Sequence, residues 1–449
     1  MMGRLVVDDL VHWATTFKVD GFRFDCMGHL MLETVMEARD RLNQLTEYAD
    51  GVNGKSILMY GEGWDFGEVV GNARGVNAVQ ANLSNSTVGS FNDRLRDGAL
   101  GTVAFGDVRA PGFLTGLGAT DLPRAEAPAG APPLELGSEK EQKLRALELG
   151  LWTRLGIAGN LAGFEVRMPN GASRRGDEVP YHSQTCAVAS APCETINYVA
   201  CHDNMTLFDL TVLKLGGAAA EGARLPLNQI IRVNMLITSL IATSQGIPFF
   251  HAGDELLRSK SFDRDSYNSG DYFNALDFTG DRNKFGVGLP SSFKNVHNWP
   301  IMRPLLARAG ELRPGPAEVA AATAHFETML RIRASSPLFR LRSATDVRKR
   351  LAFVDDGATP GIVAFELDGG EDGVELNRAF RRIVVCFNAT AMPHTQAWVW
   401  PLDVALELHP LQQAAADAVV KLARAAPGVG LTVPPFSCAV FVELREEAP

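Results

Sequence analysis

Leu5, Val6, Leu10, Trp13 and Phe17 recur at helical spacing and predict that the chain opens on an amphipathic helix. A short apolar run at 19–25 then reads as a strand, and the pattern at 29–45 as a helix. Residues 56–62 form a second short strand pattern, ending in a carboxylate flanked by glycines. A third, at 87–93, leads into a helix that contains Arg94 and Leu95. Helical spacing returns at 144–155 and 228–244, and strand patterns at 197–201 and 246–251. Short buried strands alternating with helices predict a parallel sheet. Polar residues gather where those strands end, at Asp25, Glu62, His202-Asp203 and Asp254-Glu255.

From about Phe339 the pattern changes. Residues 361–366, 382–388, 431–433 and 438–443 read as antiparallel strands of a β-sandwich. Two domains are expected, over 1–337 and 338–449, the first with a loop insertion at about 100–190. Within it, 121–137 is rich in Ala and Pro and reads as a surface loop.

Composition narrows the picture only a little. With 449 residues, 46% hydrophobic and 21% charged, the chain can build a large core. A net charge of -9 argues against nucleic acid or an anionic membrane as partner. No stretch approaches the ~20 apolar residues that span a bilayer. Asp8, Asp9 and His12 interrupt the apolar residues where the core of a signal peptide would run, so no targeting segment is expected. Six cysteines occur without a C-x-x-C pair, which predicts mostly buried thiols and no metal site. Redox control through Cys386 and Cys438 stays open.

The strand-end residues carry the chemistry. Arg23 and Asp25, two apart on one strand, share a face, and the guanidinium favours an ionised carboxylate. Glu62 lies between glycines, with Trp64 and Phe66 offering flat faces of the kind that pack on sugar rings. His202 and Asp203 follow an apolar run. Alone, each feature also fits a structural ion pair or an ordinary turn. Three decorated carboxylates in order fit retaining glycoside hydrolysis, with one as nucleophile and one as acid/base.

Asp20-Gly-Phe-Arg-Phe-Asp25, Gly61-Glu-Gly-Trp-Asp65 and Tyr198-Val-Ala-Cys-His-Asp-Asn204 resemble three signature regions of the α-amylase superfamily. Asn82-Leu-Ser-Asn-Ser-Thr-Val-Gly-Ser-Phe-Asn-Asp-Arg94 and Asp263-Arg-Asp-Ser-Tyr-Asn-Ser-Gly-Asp271 are similar to its debranching branch, the pullulanases and limit dextrinases of plants and green algae. The resemblance implies strands four to eight of a (β/α)8 TIM barrel followed by a C-terminal β-sandwich. It implies Asp25 as nucleophile, Glu62 as general acid/base and Asp203 as third carboxylate. Arg23, His202, Trp64, Phe66, Arg258 and Asp263 are implied as substrate-binding residues.

The implied substrate is an α-glucan with α-1,6 branches, the implied compartment a plastid. No cofactor or metal is implied, with a structural calcium ion left open. The family's Asp-x-x-x-x-His region and first three barrel strands have no counterpart here. A fragment is therefore expected, with the upstream half of such an enzyme as its partner. The alternative is a non-catalytic, glucan-binding or regulatory polypeptide.

Overall fold

The computed structural model describes all residues except 102–103, 105, 118–129, 218–224, 356, 371–375, 399, 401–403 and 446–449. Most of the Ala/Pro-rich segment lies outside the described residues, while 130–137 forms neither helix nor strand.

The first half alternates as its apolar pattern requires. Helix α1 (Met2–Phe17) buries Val7, Leu10 and Ala14 and leaves Leu5, Trp13 and Phe17 exposed. Strand β1 (Gly21–Phe24) follows, then α2 (Leu32–Asn43), β2 (Leu58–Gly61), β3 (Gly89–Phe91) and α3 (Asp93–Leu100). Helix α4 (Glu139–Ile157) starts at a capping box in which Ser138 and Glu141 satisfy each other's backbone N–H groups. It buries Trp152 and Leu155. Next come β4 (Thr195–Asn197), α5 (Leu207–Leu215), α6 (Leu227–Thr243), β5 (Ile247–Pro248) and α7 (Pro316–Ser335). Strands β1 to β5 form one five-stranded sheet in chain order, every pair parallel. Their C-terminal ends therefore share one edge.

Two strands differ from expectation. The strand expected at 197–201 is Thr195–Asn197, so His202 and Asp203 lie on a loop beyond it rather than at its tip. The strand expected at 246–251 keeps its ladder only at Ile247–Pro248, since its partner β4 ends at Asn197, whose carbonyl accepts the Phe249 N–H at 2.8 Å.

The C-terminal strands are β6 (Leu351–Phe353), β7 (Ile362–Asp368), β8 (Phe380–Asn388), β9 (His394–Gln396), β10 (Glu407–Leu408), β11 (Arg424–Ala426), β12 (Gly430–Val433) and β13 (Ser437–Leu444). They make a five-stranded antiparallel sheet, ordered β6-β7-β8-β13-β10, and a three-stranded one, β9-β12-β11. Alternation along the central strands assigns each face to a different core. Phe365, Val385, Val440 and Val442 join the core shared with α4, α5 and α6. Ala364, Val384, Cys386 and Phe441 meet Leu431 and Val433 of the small sheet. The same alternation separates Cys386 from Cys438, which sit on paired strands but in different cores. They are free thiols, and a disulfide between them would have to pass through the sheet. Among the described residues, no helix is long and apolar enough to cross a membrane.

Candidate active site

The pleat puts Arg23 on the same face as Asp25, just beyond β1, and Phe24 pairs with Gly61, so Glu62 emerges beside them. Cys26 takes a left-handed conformation (φ 46°) and turns the chain into a single helical turn at Met27–His29. That turn brings the Cys26 N–H to Glu62 Oε2 at 2.9 Å, and Gly28 N–H donates to Glu62 O at 2.8 Å. Gly28 has to be glycine, because a Cβ there would stand 2.3 Å from the Trp64 carbonyl oxygen. The loops after β1 and β2 thus interlock.

Arg23 is shared, not dedicated to Asp25. Its Nη1 donates to Asp25 Oδ1 at 3.1 Å and its Nη2 to Glu62 Oε1 at 3.0 Å. His202 Nε2 lies 3.4 Å from Asp25 Oδ1 and 3.7 Å from Asp203 Oδ1. Polar atoms of Asp25, Cys26 and Glu62 fall within 4.8 Å of one another, and so do those of Glu62, His202 and Asp203. These two sets have donor types that suit a cation, but Arg23 already brings positive charge to both Asp25 and Glu62. Glu62 forms the floor, its side chain 11% exposed, while Asp25 and Asp203 stand at the rim, 64% and 73% exposed.

Beside this cluster opens a cavity of about 440 Å³ lined by Glu62, Trp64, Phe66 and Asp203. Phe91 and Tyr198 also line it, with ring centroids 4.8 Å apart, and further lining comes from the hairpin Tyr181-His182-Ser183-Gln184. Under the hairpin lies a charged network absent from the sequence reading. Arg96 donates to the Tyr198 hydroxyl at 2.6 Å and to Asp97 at 2.7 Å, and the Tyr181 hydroxyl donates to Asp97 at 2.7 Å. Burial alone would raise the Asp93 carboxyl, but Arg94 and Arg96 outweigh it and hold it below the ordinary range. Burial, then Asp93 and Asp97, push the Tyr181 phenol far up, so it stays a hydrogen-bond donor. The dense charge of Asn92-Asp-Arg-Leu-Arg-Asp97 was a visible signal, but its tyrosine partners are remote in sequence.

Arg258 and Asp263, expected as substrate contacts, do not line the cavity and make hydrogen bonds within the protein. Arg258 donates to His251 Nε2 at 3.1 Å and to the carbonyls of Ala252 and Asn274 at 3.0 and 2.9 Å. Asp263 is buried and accepts from Ser269 Oγ at 2.6 Å, Asn295 Nδ2 at 3.1 Å and Asp265 N at 3.0 Å. The neighbouring Arg264 reaches the cavity and donates to Asn204 Oδ1 at 3.2 Å.

Beyond β5 the buried Asp254 carries a pH signature. The backbone N–H of His251 donates to Asp254 Oδ2 at 3.0 Å, and burial raises the Asp254 carboxyl to about 8. The folded state therefore keeps a proton that the unfolded chain, with an aspartate pKa of about 3.9, releases. Stability from this group is full below about pH 4 and is lost as pH rises towards about 8. Asp254→Asn cannot ionise. Its melting temperature should exceed the wild type's at about pH 8.5, by a margin that shrinks towards about pH 5. A margin independent of pH would show that Asp254 is already ionised in the fold.

Comparison with known proteins now adds a context. Residues 280–444 match the family described as alpha-1,6-glucosidases, pullulanase-type, C-terminal. "Pullulanase 1, chloroplastic" of Arabidopsis thaliana is 43% identical over 99% of this chain and 45% of its own length. Klebsiella pneumoniae pullulanase is 33% identical over 100% of this chain and 39% of its own. The crystal structure of a maltotriose complex of PulA from Klebsiella pneumoniae superposes with a TM-score of 0.84 at 33% identity, covering 99% of this chain and 45% of that one. The chain thus spans less than half the length of these relatives. Sequence similarity along the whole chain, a shared backbone fold and the pullulanase-type C-terminal match at 280–444 together make the chain similar to pullulanases over the part of their length that it spans.

Proposed function

We propose that the chain carries the catalytic centre of an α-1,6-glucan hydrolase that acts with retention at the anomeric carbon. The carrying observation is the approach of Asp25 and Glu62 oxygens to within 4.8 Å of each other. Carboxyl pairs about 5–5.5 Å apart belong to retaining enzymes, and pairs about 6.5–9.5 Å apart to inverting ones.

Asp25, at the open rim, attacks the anomeric carbon. The glycosidic C–O bond breaks as Glu62 passes its proton to the departing oxygen, leaving a glycosyl ester on Asp25. Water then gives its proton to Glu62 and attacks the same carbon, releasing the sugar and the free Asp25 carboxylate. Arg23, bonded to both carboxylates, holds their spacing through this exchange of charge. His202 and Asp203 grip sugar hydroxyls, and Trp64 and Phe66 offer ring faces at the cavity wall.

In this reading β1 to β5 are strands four to eight of a (β/α)8 barrel within residues 1–337, and residues 338–449 form a β-sandwich domain. The substrate is a pullulan-like α-glucan, as the names of the relatives and the maltotriose complex suggest. The chloroplastic Arabidopsis relative supports a plastid location. A second reading, a non-catalytic glucan-binding polypeptide, is favoured by one feature: among the described residues β1, which leads into Asp25, is paired on one side only.

Pullulan incubated with the 449-residue chain separates them, with products sized by chromatography. Maltotriose release supports the hydrolase. Pullulan binding without release, unchanged by Glu62→Gln and by adding the remaining length found in relatives, supports the second reading.

A further inference from the structure

The segment after β5 folds back beneath the His202–Asp203 loop in a conformation its residues resist. Leu257, Ser261 and Phe262 all take left-handed backbone angles, with φ of 53°, 51° and 67°. Bulky side chains rarely occupy that region, and strain of this kind concentrates where function uses it. Asp209 of α5 braces the bend. Its fully buried carboxylate accepts from Ser259 Oγ, from Lys260 N at 2.8 Å and from Phe262 N at 3.0 Å.

The braced bend delivers Lys260. Its side chain is 1% exposed, and Nζ donates to the His202 carbonyl at 3.2 Å, its one acceptor among the described residues. It forms no ion pair among them. Burial pulls the ammonium below its ordinary range, with Asp209, Asp263 and Asp203 opposing. A buried cation with a single neutral partner weakens a fold, and an apolar side chain of equal length would pack there at less cost. A residue that costs stability calls for another reason to be present. The atom it holds supplies one: His202 stands between Asp25 and Asp203.

We propose that Lys260 is a positioning residue: its ammonium pins the His202 carbonyl from below and fixes the turn that presents His202 and Asp203 to the sugar. Asp209 acts one step further back, holding the bend that carries Lys260. This deepens the glucan hydrolase reading and rests on it.

Lys260→Met in the 449-residue chain tests it through two effects of opposite sign. Thermal unfolding should move up or stay unchanged, since a buried charge is removed. Maltotriose affinity, measured by calorimetry, should fall about tenfold (~1.4 kcal/mol). The His202 imidazole resonance, assigned by its loss in His202→Gln, should broaden as the turn gains motion. A lower melting temperature with affinity and resonance retained would overturn the proposal, because Lys260 would then serve the fold alone. Should the wild type fail to bind maltotriose, the glucan reading falls, and the His202 resonance alone decides on Lys260. Ser259→Ala, which loosens the bend without removing the charge, should show the same losses in smaller measure. It decides the matter if Lys260→Met does not fold, and unchanged affinity and resonance in it would then overturn the proposal.

Discussion

Asp25→Asn abolishes maltotriose release from pullulan in any form of the protein that hydrolyses it, and so does Glu62→Gln. Loss of an acid/base group costs about 10²–10⁴-fold in rate. Loss of the nucleophile removes the covalent step itself, so turnover should fall about 10²–10⁴-fold in Glu62→Gln and further in Asp25→Asn. Binding should survive. In Asp25→Asn, Arg23 keeps its bond to Glu62, and in Glu62→Gln it keeps Asp25. Chromatography of products beside calorimetry with maltotriose checks both halves of the claim. Residual turnover within tenfold of wild type in either variant would remove that residue from its role.

The second large effect concerns stability. Arg154 of α4 forms an ion pair with Asp355, between β6 and β7, with side chains only 4% and 3% exposed. Asp355 also accepts from the backbone N–H groups of Ala364 at 2.9 Å and Gly357 at 3.0 Å. Asp355→Ala strands the Arg154 guanidinium between the rings of Phe113 and Phe353, with Ile362 O at 3.2 Å as its remaining acceptor among the described residues. Breaking a buried pair in this way costs about 3–5 kcal/mol. Urea unfolding should show a lower midpoint with an unchanged slope. A loss below about 1 kcal/mol would mean that water reaches the pair and screens it. Replacing both residues with apolar ones should recover most of the stability, since the pair's own desolvation cost disappears with it.

How much of this was legible from residues alone depended on the range of the signal. Helices α4 and α6 declared themselves by apolar spacing, and β7, β8 and β13 by β-branched and aromatic runs. Asp25 and Glu62 were visible because each ends a short strand between small or aromatic neighbours. Periodicity does not report backbone bends. The left-handed turn at Cys26, and the loop that carries His202 beyond the end of β4, were therefore not foreseen. Nor does a motif say where a side chain spends its hydrogen bonds. Arg258 and Asp263 spend hydrogen bonds on their own loop, while Arg96, Tyr181 and Arg264 reach the cavity from elements far apart in the chain. Lys260 gave no sign of its placement, because a lysine beside Arg258 and Asp263 reads as solvated until its burial is seen.

The strand β1 lies at the edge of its sheet, bonded to β2 and to no other described strand. Its backbone amides therefore exchange with solvent through smaller openings than those of β3, which is bonded on both sides. Asp25 follows directly on that strand, so a demanding atomic placement in the site hangs from a ladder restrained on one side among the described residues. On the proposed mechanism, anything that pairs with that edge acts on the reaction without touching the sugar. It narrows the range of positions that the attacking oxygen visits, and the rate follows the fraction of time spent in line.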